Sequence, residues 1–333
     1  MTDVHIVSNE LNCYFAALIL STRGFRTAID GRPAESTAVE AFGTPATAHI
    51  TTPDALDGKQ RIALVAAEGE DLRRGVEVAS AAGNPDLFVI IGGGAAGVAE
   101  ALDVAHESRI DPGRVLVVSA FIWGGQAGAP VVLNSEKLDL LAAFLAPAPV
   151  DAIELARRLA PTLRLSDPLT VALSSLNALI HPVPMILGAT EIDRQSGARF
   201  FIDTFGDGVC RVAEQLDRER LALGTELGLS LPTFEEMLRT YYRAEGIHGD
   251  DLRTLVNTFH AYQHALIPES FAHRYLTHEL AGNLSPMSEI GRRLSVPTPT
   301  LDSLIALGGV LAERDLRRGS SEVAESLLSL SGR

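Results

Sequence analysis

The most informative segment of the sequence is Leu87-Phe-Val-Ile-Ile-Gly-Gly-Gly-Ala-Ala-Gly97. It joins five successive apolar residues to a cluster of glycines, and a helical pattern then continues to His106. A short apolar run bounded by turn residues is typical of a strand that is buried on both faces of a sheet. Because a helix follows at once, the stretch predicts a strand–turn–helix unit of a parallel sheet.

The same layout recurs through the first half of the chain. Further apolar runs lie at residues 4–7, 25–29, 62–66 and 114–119, and helical patterns lie at residues 14–22, 70–81 and 95–106. This alternation predicts an α/β fold with a doubly wound, mostly parallel sheet of the dinucleotide-binding type. Beyond about residue 165 helical patterns dominate. We therefore expect a Rossmann-like domain over residues 1–166 and an all-helical C-terminal domain over residues 167–333.

Composition and charge exclude several classes of partner. The chain of 333 residues has 28 basic and 42 acidic side chains and a net charge of −14, so neither nucleic acid nor an anionic membrane surface is an expected partner. The two cysteines, Cys13 and Cys210, lie far apart and predict neither a disulfide framework nor a metal cluster. No signal segment and no membrane-spanning run is recognisable. We expect a soluble, cytoplasmic protein without a metal site.

The turn after the first strand departs from the pattern that dinucleotide binding favours. Where G-x-G-x-x-G is expected, the chain reads Ser8-Asn-Glu10-Leu-Asn-Cys13. The glycines of that pattern permit a tight turn, close approach to the diphosphate, and close helix packing. Glu10 instead places a negative charge at the diphosphate, and like charges about 4 Å apart repel by about 4 kcal/mol at an effective dielectric constant of about 20. The sequence leaves open whether a dinucleotide binds normally, weakly or not at all.

Other positions around the expected crevice keep suitable chemistry. Asp30 ends the second strand, where an acid would accept hydrogen bonds from the adenosine ribose and favour NAD, although it could instead simply open an Asp-Gly turn. Arg32 leaves NADP open. The literal G-x-G-x-x-G at residues 92–97 is interpreted as backbone lining the crevice, with the principal anion-binding turn as the alternative. The expected cofactor-binding residues are Ser8, Asn9, Glu10, Leu11, Asp30, Arg32, Gly92 and Gly93.

Several blocks of the second half resemble the octopine/nopaline (opine) dehydrogenase family, and they occur in the family's order. They are Asn177-x-x-x-His181-Pro182, residues 216–233, Arg274-Tyr-Leu-Thr277 with residues 286–291, and Val296-Pro-Thr-Pro-Thr-Leu-Asp302. Enzymes of this family join the amine of an amino acid to a 2-oxo acid and reduce the imine with a nicotinamide hydride. The resemblance implies an NAD(P)H-dependent oxidoreductase with such substrates, and a homodimer. Residues 278–281 depart from the family's acidic, Pro-Tyr-Gly-containing run.

The resemblance also implies the roles of individual residues. His181 becomes the acid/base, because proton transfer at neutral pH suits histidine. Asp302 becomes the carboxylate that orients the imidazole, as in catalytic triads. Asn177, Arg274 and Thr277 become the substrate-binding residues, since carboxylate-bearing substrates need cationic or hydrogen-bonding partners.

Two other functions stay open at the level of sequence. The first is a non-redox relative that uses the His/Asp pair for imine or enamine formation, cyclisation or proton transfer without a dinucleotide. The degenerate glycine turn motivates this alternative. The second is a non-catalytic binding or scaffold protein.

Overall fold

The computed structural model describes residues 2–8, 11–58, 60–67 and 69–331. Within these residues, eleven strands form one sheet. The strands are β1 (Thr2–Val7), β2 (Arg26–Ile29), β3 (Glu35–Ala41), β4 (Thr44–Thr51), β5 (Gln60–Val65), β6 (Leu87–Ile91), β7 (Val115–Val118), β8 (Trp123–Gln126), β9 (Val131–Glu136), β10 (Leu141–Phe144) and β11 (Arg164–Leu165).

Six neighbouring strands in the order β4-β2-β1-β5-β6-β7 run parallel. Counted along the chain among themselves, they have the order 3-2-1-4-5-6 of a dinucleotide-binding fold. Every residue of β6 and of β7 is buried, as expected of strands covered on both faces. The helices of this half are α1 (Leu11–Thr22), α2 (Gly69–Ala81), α3 (Ala95–Glu107) and α4 (Val150–Leu159). The predicted fold class is confirmed.

The sheet extends beyond the predicted strands on both sides. On one side β3, β9 and β8 follow β4, with β3 antiparallel to β4 and β8 antiparallel to β9. On the other side β10 pairs antiparallel with β7. Within β3 only Val39 is buried. Strands that are exposed to this degree contain no continuous apolar run, so the sequence pattern did not predict them.

The second half is helical over the residues that the structure describes. Its helices are α5 (Pro168–Leu173), α6 (Leu176–Ile180), α7 (Pro182–Leu187), α8 (Ala189–Asp193), α9 (Phe200–Asp203), α10 (Asp207–Glu226), α11 (Phe234–Tyr241), α12 (Leu252–Thr258), α13 (Arg274–Glu279), α14 (Ser285–Leu294), α15 (Pro299–Leu311) and α16 (Ser320–Ser329). A π-helical segment, Leu280–Leu284, joins α13 to α14.

One apolar stretch, Pro168–Leu187, is long enough to cross a membrane by length and composition, but 94% of it is buried inside the protein. A core helix of a soluble protein passes the same test.

Buried charges on α10 hold neighbouring helices in place. Arg220 donates two hydrogen bonds to Asp217 and further bonds to the carbonyl oxygens of Leu173 and Pro232. The other oxygen of Asp217 accepts from the backbone N–H of Phe234, at the start of α11. A buried ion pair is tolerated when its remaining donors and acceptors are satisfied in this way. These residues of the 216–233 block therefore serve the scaffold.

The contacts of the chain divide it into two compact units. The first comprises residues 1–93 and 100–168, and the second comprises residues 94–99 and 169–333. The first turn and a half of α3 thus groups with the helical unit. The expectation of two domains that divide at residues 166 and 167 stays a prediction.

Candidate active site

His181 lies in the interior of the helical unit, at the junction between α6 and α7. Pro182 begins α7, a position that suits proline because the first turn of a helix needs no N–H there. The backbone N–H of His181 donates to the carbonyl oxygen of Asn177, which closes the preceding turn. Only 7% of the residue is exposed. The chain therefore buries an imidazole in a fixed position.

Aromatic side chains surround this imidazole. The ring of Tyr275 stacks on it at a centroid distance of 3.7 Å and an interplanar angle of 13°. Phe200 and Phe201, both on α9, pack around it at 6.3 Å and 6.0 Å. His273 caps α13, since its Nδ1 accepts from the backbone N–H of Tyr275, and its ring meets the edge of the Tyr275 ring. The histidine face is thus shielded from water.

The carboxylate beside His181 belongs to Glu279. Its Oε1 lies 3.5 Å from His181 Nδ1, and Glu279 is 1% exposed. This separation is long for a hydrogen bond, so the carboxylate acts on the imidazole mainly through its negative charge rather than through a well-formed bond. Glu279 is the last residue of α13, one helical turn after Tyr275. One helix therefore supplies both the ring above the imidazole and the carboxylate at its edge.

Asp302 lies elsewhere, and the structure does not bring it to His181. Its Oδ1 accepts hydrogen bonds from the hydroxyl of Ser288 and from Arg317, both at 2.6 Å, and its side chain is 50% exposed. Asp302 sits in the first turn of α15, where its carboxylate reaches the neighbouring α14 and lines a surface groove of about 460 Å³. The carboxylate beside His181 in this structure is therefore that of Glu279, and the orienting role of Asp302, which the resemblance implied, stays a prediction.

Opposing effects set the acidity of His181. Burial lowers the pKa of the imidazole below its ordinary value of 6.5, and the neighbouring Glu279 carboxylate raises it in part. The positive charges of Arg274 and His278 lower the pKa further. The net direction is downward, which favours a neutral imidazole near pH 7. A neutral ring can accept a proton, as a general base requires.

The predicted substrate-binding residues lie near this site with different exposure. Asn177 is half-buried on α6, one turn before His181. Arg274 is exposed at the first position of α13 and forms no ion pair with any residue that the structure describes. The hydroxyl of Thr277 donates to the backbone carbonyls of Ala272 and His273. Arg274 is the one charged residue of the three, and its exposed guanidinium could bind a carboxylate.

A side-chain amide continues from Glu279 to the start of α3. Asn283 Nδ2 donates to Glu279 Oε2 at 3.0 Å, and Asn283 Oδ1 accepts from the backbone N–H of Ala95 at 3.0 Å. Asn283 is 2% exposed and lies in the π-helical segment. These three residues and His181 all belong to the helical unit.

The residues expected to contact a dinucleotide lie in the sheet unit, and two of them, Asn9 and Glu10, fall outside the described residues. Ser8 follows β1, and Leu11 is exposed at the start of α1. Asp30 follows β2 with its carboxylate 3.7 Å from His5 Nε2. The guanidinium of Arg32 lies over the Tyr14 ring at 4.6 Å.

The glycines after β6 permit close backbone approaches. Gly92 has a φ of +146°, which only glycine adopts readily, and open space faces its α-carbon apart from the carbonyl oxygen of Ala67. At Gly93 a Cβ would overlap the backbone of Ser119 on the adjoining strand end. The half-exposed carboxylate of Asp30, after β2, is suited to bind the ribose of a dinucleotide. The open backbone at Gly92, after β6, is suited to line the cofactor crevice.

Among the described residues, no group of three or more histidine, cysteine, aspartate or glutamate side chains could hold a metal ion.

Sequence reasoning missed Glu279, Tyr275 and Asn283 as parts of the site. Glu279 and Asn283 are four residues apart, which places them on one face of a helix. That spacing was readable, but a carboxylate and an amide on a helix face are common on exposed surfaces. Only their burial beside His181 distinguishes them.

Comparisons with known proteins bear on the helical half first. Residues 164–312 match the family model described as NAD/NADP octopine/nopaline dehydrogenase, alpha-helical domain. The helical half of this chain is thus similar to the alpha-helical domain of that family. An opine dehydrogenase from Arthrobacter sp. (strain 1C) is 28% identical over 164 residues, which are 49% of this chain and 44% of that protein. The matched stretch thus spans less than half of that member of the opine dehydrogenase family.

Solved structures in the opine dehydrogenase family share the fold over the whole chain. Octopine dehydrogenase in its complex with NADH and L-arginine has a TM-score of 0.76 at 13% identity, covering 100% of this chain and 98% of that one. Yersinopine dehydrogenase bound to NADP+ has a TM-score of 0.69 at 11% identity, covering 99% of each chain. At these identities the likeness concerns the fold.

Proposed function

We propose that this protein is an NAD(P)H-dependent oxidoreductase of the opine dehydrogenase type, which reduces an imine formed from an amino acid and a 2-oxo acid. The observation that carries the proposal is the buried His181 beside Glu279, within the half of the chain that matches the family. A shielded imidazole with a neighbouring carboxylate is the arrangement that general acid/base catalysis needs.

In this proposal His181 moves the proton and Glu279 orients the ring. Because Nδ1 faces Glu279, the proton of the neutral imidazole resides on Nδ1 and leaves Nε2 as the acceptor. Nε2 takes the proton that the amino acid's ammonium group must lose before its nitrogen attacks the carbonyl carbon. The same proton then leaves with the carbonyl oxygen as water. Glu279 stabilises the imidazolium formed between the two steps.

Charged and polar side chains around His181 would bind the substrates. The exposed guanidinium of Arg274 suits a substrate carboxylate, since it carries no ion pair among the described residues. Asn177, one helical turn from His181, is the candidate for a further hydrogen bond. Thr277 already donates to the backbone and so contributes as an acceptor.

A nicotinamide dinucleotide would supply the hydride. Asp30 would accept hydrogen bonds from the adenosine ribose, and the backbone at Gly92 and Gly93 would line the crevice beside the diphosphate. The guanidinium of Arg32 would bind the 2′-phosphate if the cofactor is NADPH. Ser8 and Leu11 would contribute to cofactor binding from the two ends of the turn after β1. Asn9 and Glu10, which stand between them in the sequence, would contribute as well.

The experiment that tests the proposal separates binding from chemistry. NADH and NADPH are titrated against the purified protein by nicotinamide fluorescence, and consumption of the bound cofactor is then followed with pairs of amino acids and 2-oxo acids. His181→Gln is the matched variant, because it keeps a polar side chain of similar length without the titrating ring. We expect saturable binding in both proteins and a rate lowered by roughly 10²–10⁴-fold in the variant. Equal rates in the two proteins would refute the role of His181.

A non-redox relative is the second candidate, and the residues at the first turn favour it. Ser8 and the buried Cys13 occupy the positions where glycine would permit the tight turn and the close packing of the helix. In such a relative the His181–Glu279 pair would catalyse imine formation or proton transfer alone. No saturable binding of either cofactor, together with imine formation that His181→Gln abolishes, would favour this candidate. A soluble, cytoplasmic homodimer stays our prediction for either function, and light scattering of the purified protein tests the dimer.

A further inference from the structure

We infer that Asn283 is a positioning residue for the acid/base site, and that it ties the His181–Glu279 pair to the beginning of α3. The expected effect of Asn283 on the reaction rate rests on the proposed function. The contacts themselves involve four residues of the helical unit: His181, Glu279, Asn283 and Ala95.

The orientation of the amide follows from chemistry. The backbone N–H of Ala95 can only donate, so the atom of Asn283 that meets it at 3.0 Å must be the oxygen. The NH₂ group is therefore the one that faces Glu279 Oε2, at 3.0 Å. A carboxylate accepts this bond through either of its lone pairs. The amide thus fits one way round, and it fixes the plane of the Glu279 carboxylate.

Fixing that plane fixes the atom that meets the imidazole. Glu279 Oε2 is held by Asn283, and the second oxygen, Oε1, is the one that lies 3.5 Å from His181 Nδ1. Both Glu279 and Asn283 are almost fully buried. Water cannot replace a lost partner there, so removal of the amide leaves a buried carboxylate oxygen and a buried N–H unsatisfied.

The amide also occupies the first N–H of α3. At Gly94, which has a φ of +111°, a Cβ would overlap the side-chain oxygen of Asn283, so glycine makes the room for this contact. The N–H of Ala95 is consequently engaged by Asn283. The glycines at residues 92–94 thus serve a second purpose: the last of them admits the amide that orients Glu279.

Two variants test the inference. In each, the titration of His181 in the free protein is measured by NMR of its ring signals. These signals are assigned by their absence from the spectrum of His181→Gln. Asn283→Asp keeps the acceptor for Ala95 but replaces the donor to Glu279 with a second negative charge. We expect the pKa of His181 to rise, and kcat to fall by roughly tenfold or more at a nearly unchanged KM, because Asn283 does not touch the substrate. The other groups whose charges act on His181 are Arg274, His278 and Glu279, and His181 in turn lowers the pKa of His273. The single variant Asn283→Asp alters none of these four residues.

The double variant Glu279→Gln/Asn283→Asp reverses donor and acceptor. A glutamine amide then donates to an aspartate that still accepts from Ala95, so the hydrogen bonds and the net charge are kept. The negative charge, however, moves one residue further from the ring. We expect thermal stability close to that of the wild type and a pKa of His181 below the wild-type value. This variant keeps the test decisive if Asn283→Asp alone does not fold.

The outcomes distinguish this inference from the proposed function. An unchanged titration of His181 in Asn283→Asp, or a wild-type titration in the double variant, overturns the inference whatever the protein catalyses. A shifted titration in a protein that oxidises neither cofactor supports the positioning role of Asn283 and overturns the proposed dehydrogenase.

Discussion

Replacing Glu279 by glutamine is the sharpest single test of the site. The change removes one negative charge and keeps the length of the side chain. With Glu279 Oε1 at 3.5 Å from His181 Nδ1, the attraction between the carboxylate and an imidazolium is about 5 kcal/mol at an effective dielectric constant of about 20. Loss of that attraction would lower the rate of a step that forms the imidazolium by at most roughly 10³–10⁴-fold.

The direction of the pKa change follows from the same contact. The carboxylate raises the pKa of His181 against the larger effect of burial. Without it the pKa falls further below 6.5, so the imidazole stays neutral to lower pH. We expect the acid limb of the profile of kcat/KM against pH to move to lower pH, with kcat lowered on the plateau. NMR titration of the His181 ring in the free protein measures the same shift without substrate.

Asp302→Asn is the matched control for this experiment. It removes one carboxylate charge in the same unit, but from a half-exposed residue that pairs with Arg317 and Ser288. Breaking that exposed pair costs about 0–1 kcal/mol of stability, and the titration of His181 should not move. The reasoning is refuted if Glu279→Gln leaves the titration unchanged, or if Asp302→Asn lowers the pKa instead.

Three further predictions concern stability and binding. Asp217→Ala leaves the fully buried Arg220 without its charge partner, so we expect a loss of about 3–5 kcal/mol in urea unfolding; a loss below 1 kcal/mol would contradict it. Because the pKa of folded His181 is lowered from 6.5, the unfolded chain binds the proton more readily, and stability is lost as the pH falls below 6.5. Unfolding measured against pH should show this loss in the wild type and a smaller one in His181→Gln. Arg274→Gln should raise KM for a carboxylate substrate with stability changed by less than about 0.5 kcal/mol, and an unchanged KM would exclude Arg274 from binding; it should also raise the pKa of His181, because a positive charge is removed.

The parallel sheet was predictable because its strands are buried on both faces. β6 and β7 are apolar without interruption, and such runs need no knowledge of neighbouring strands to be recognised. β3 and β4 behave differently. Most of their residues are at least partly exposed, and what makes them strands is the antiparallel pairing between them, which composition does not record.

The candidate site was predictable in its histidine and not in its carboxylate. His181 stood out because proline follows it and family-like residues surround it. Choosing between Asp302 and Glu279 required knowing which side of α13 and of α15 faces the ring. Asp302 turns towards Arg317, and Glu279 turns inward to His181 and Asn283. Glu279 lies 98 positions from the histidine along the chain, and only the packing of helices brings its carboxylate to the ring.

The widened turn at Leu280–Leu284 has a consequence for how the chain tolerates length changes. A π turn contains one residue more than an α turn. Removing one residue there would return the segment to ordinary α-helical winding. Glu279 lies before this segment and Asn283 within it, so a deletion between them would leave them three residues apart and change the geometry at which the amide meets the carboxylate. A shorter loop elsewhere on the surface would be tolerated, whereas this single extra residue sets the spacing between Glu279 and the amide that it contacts.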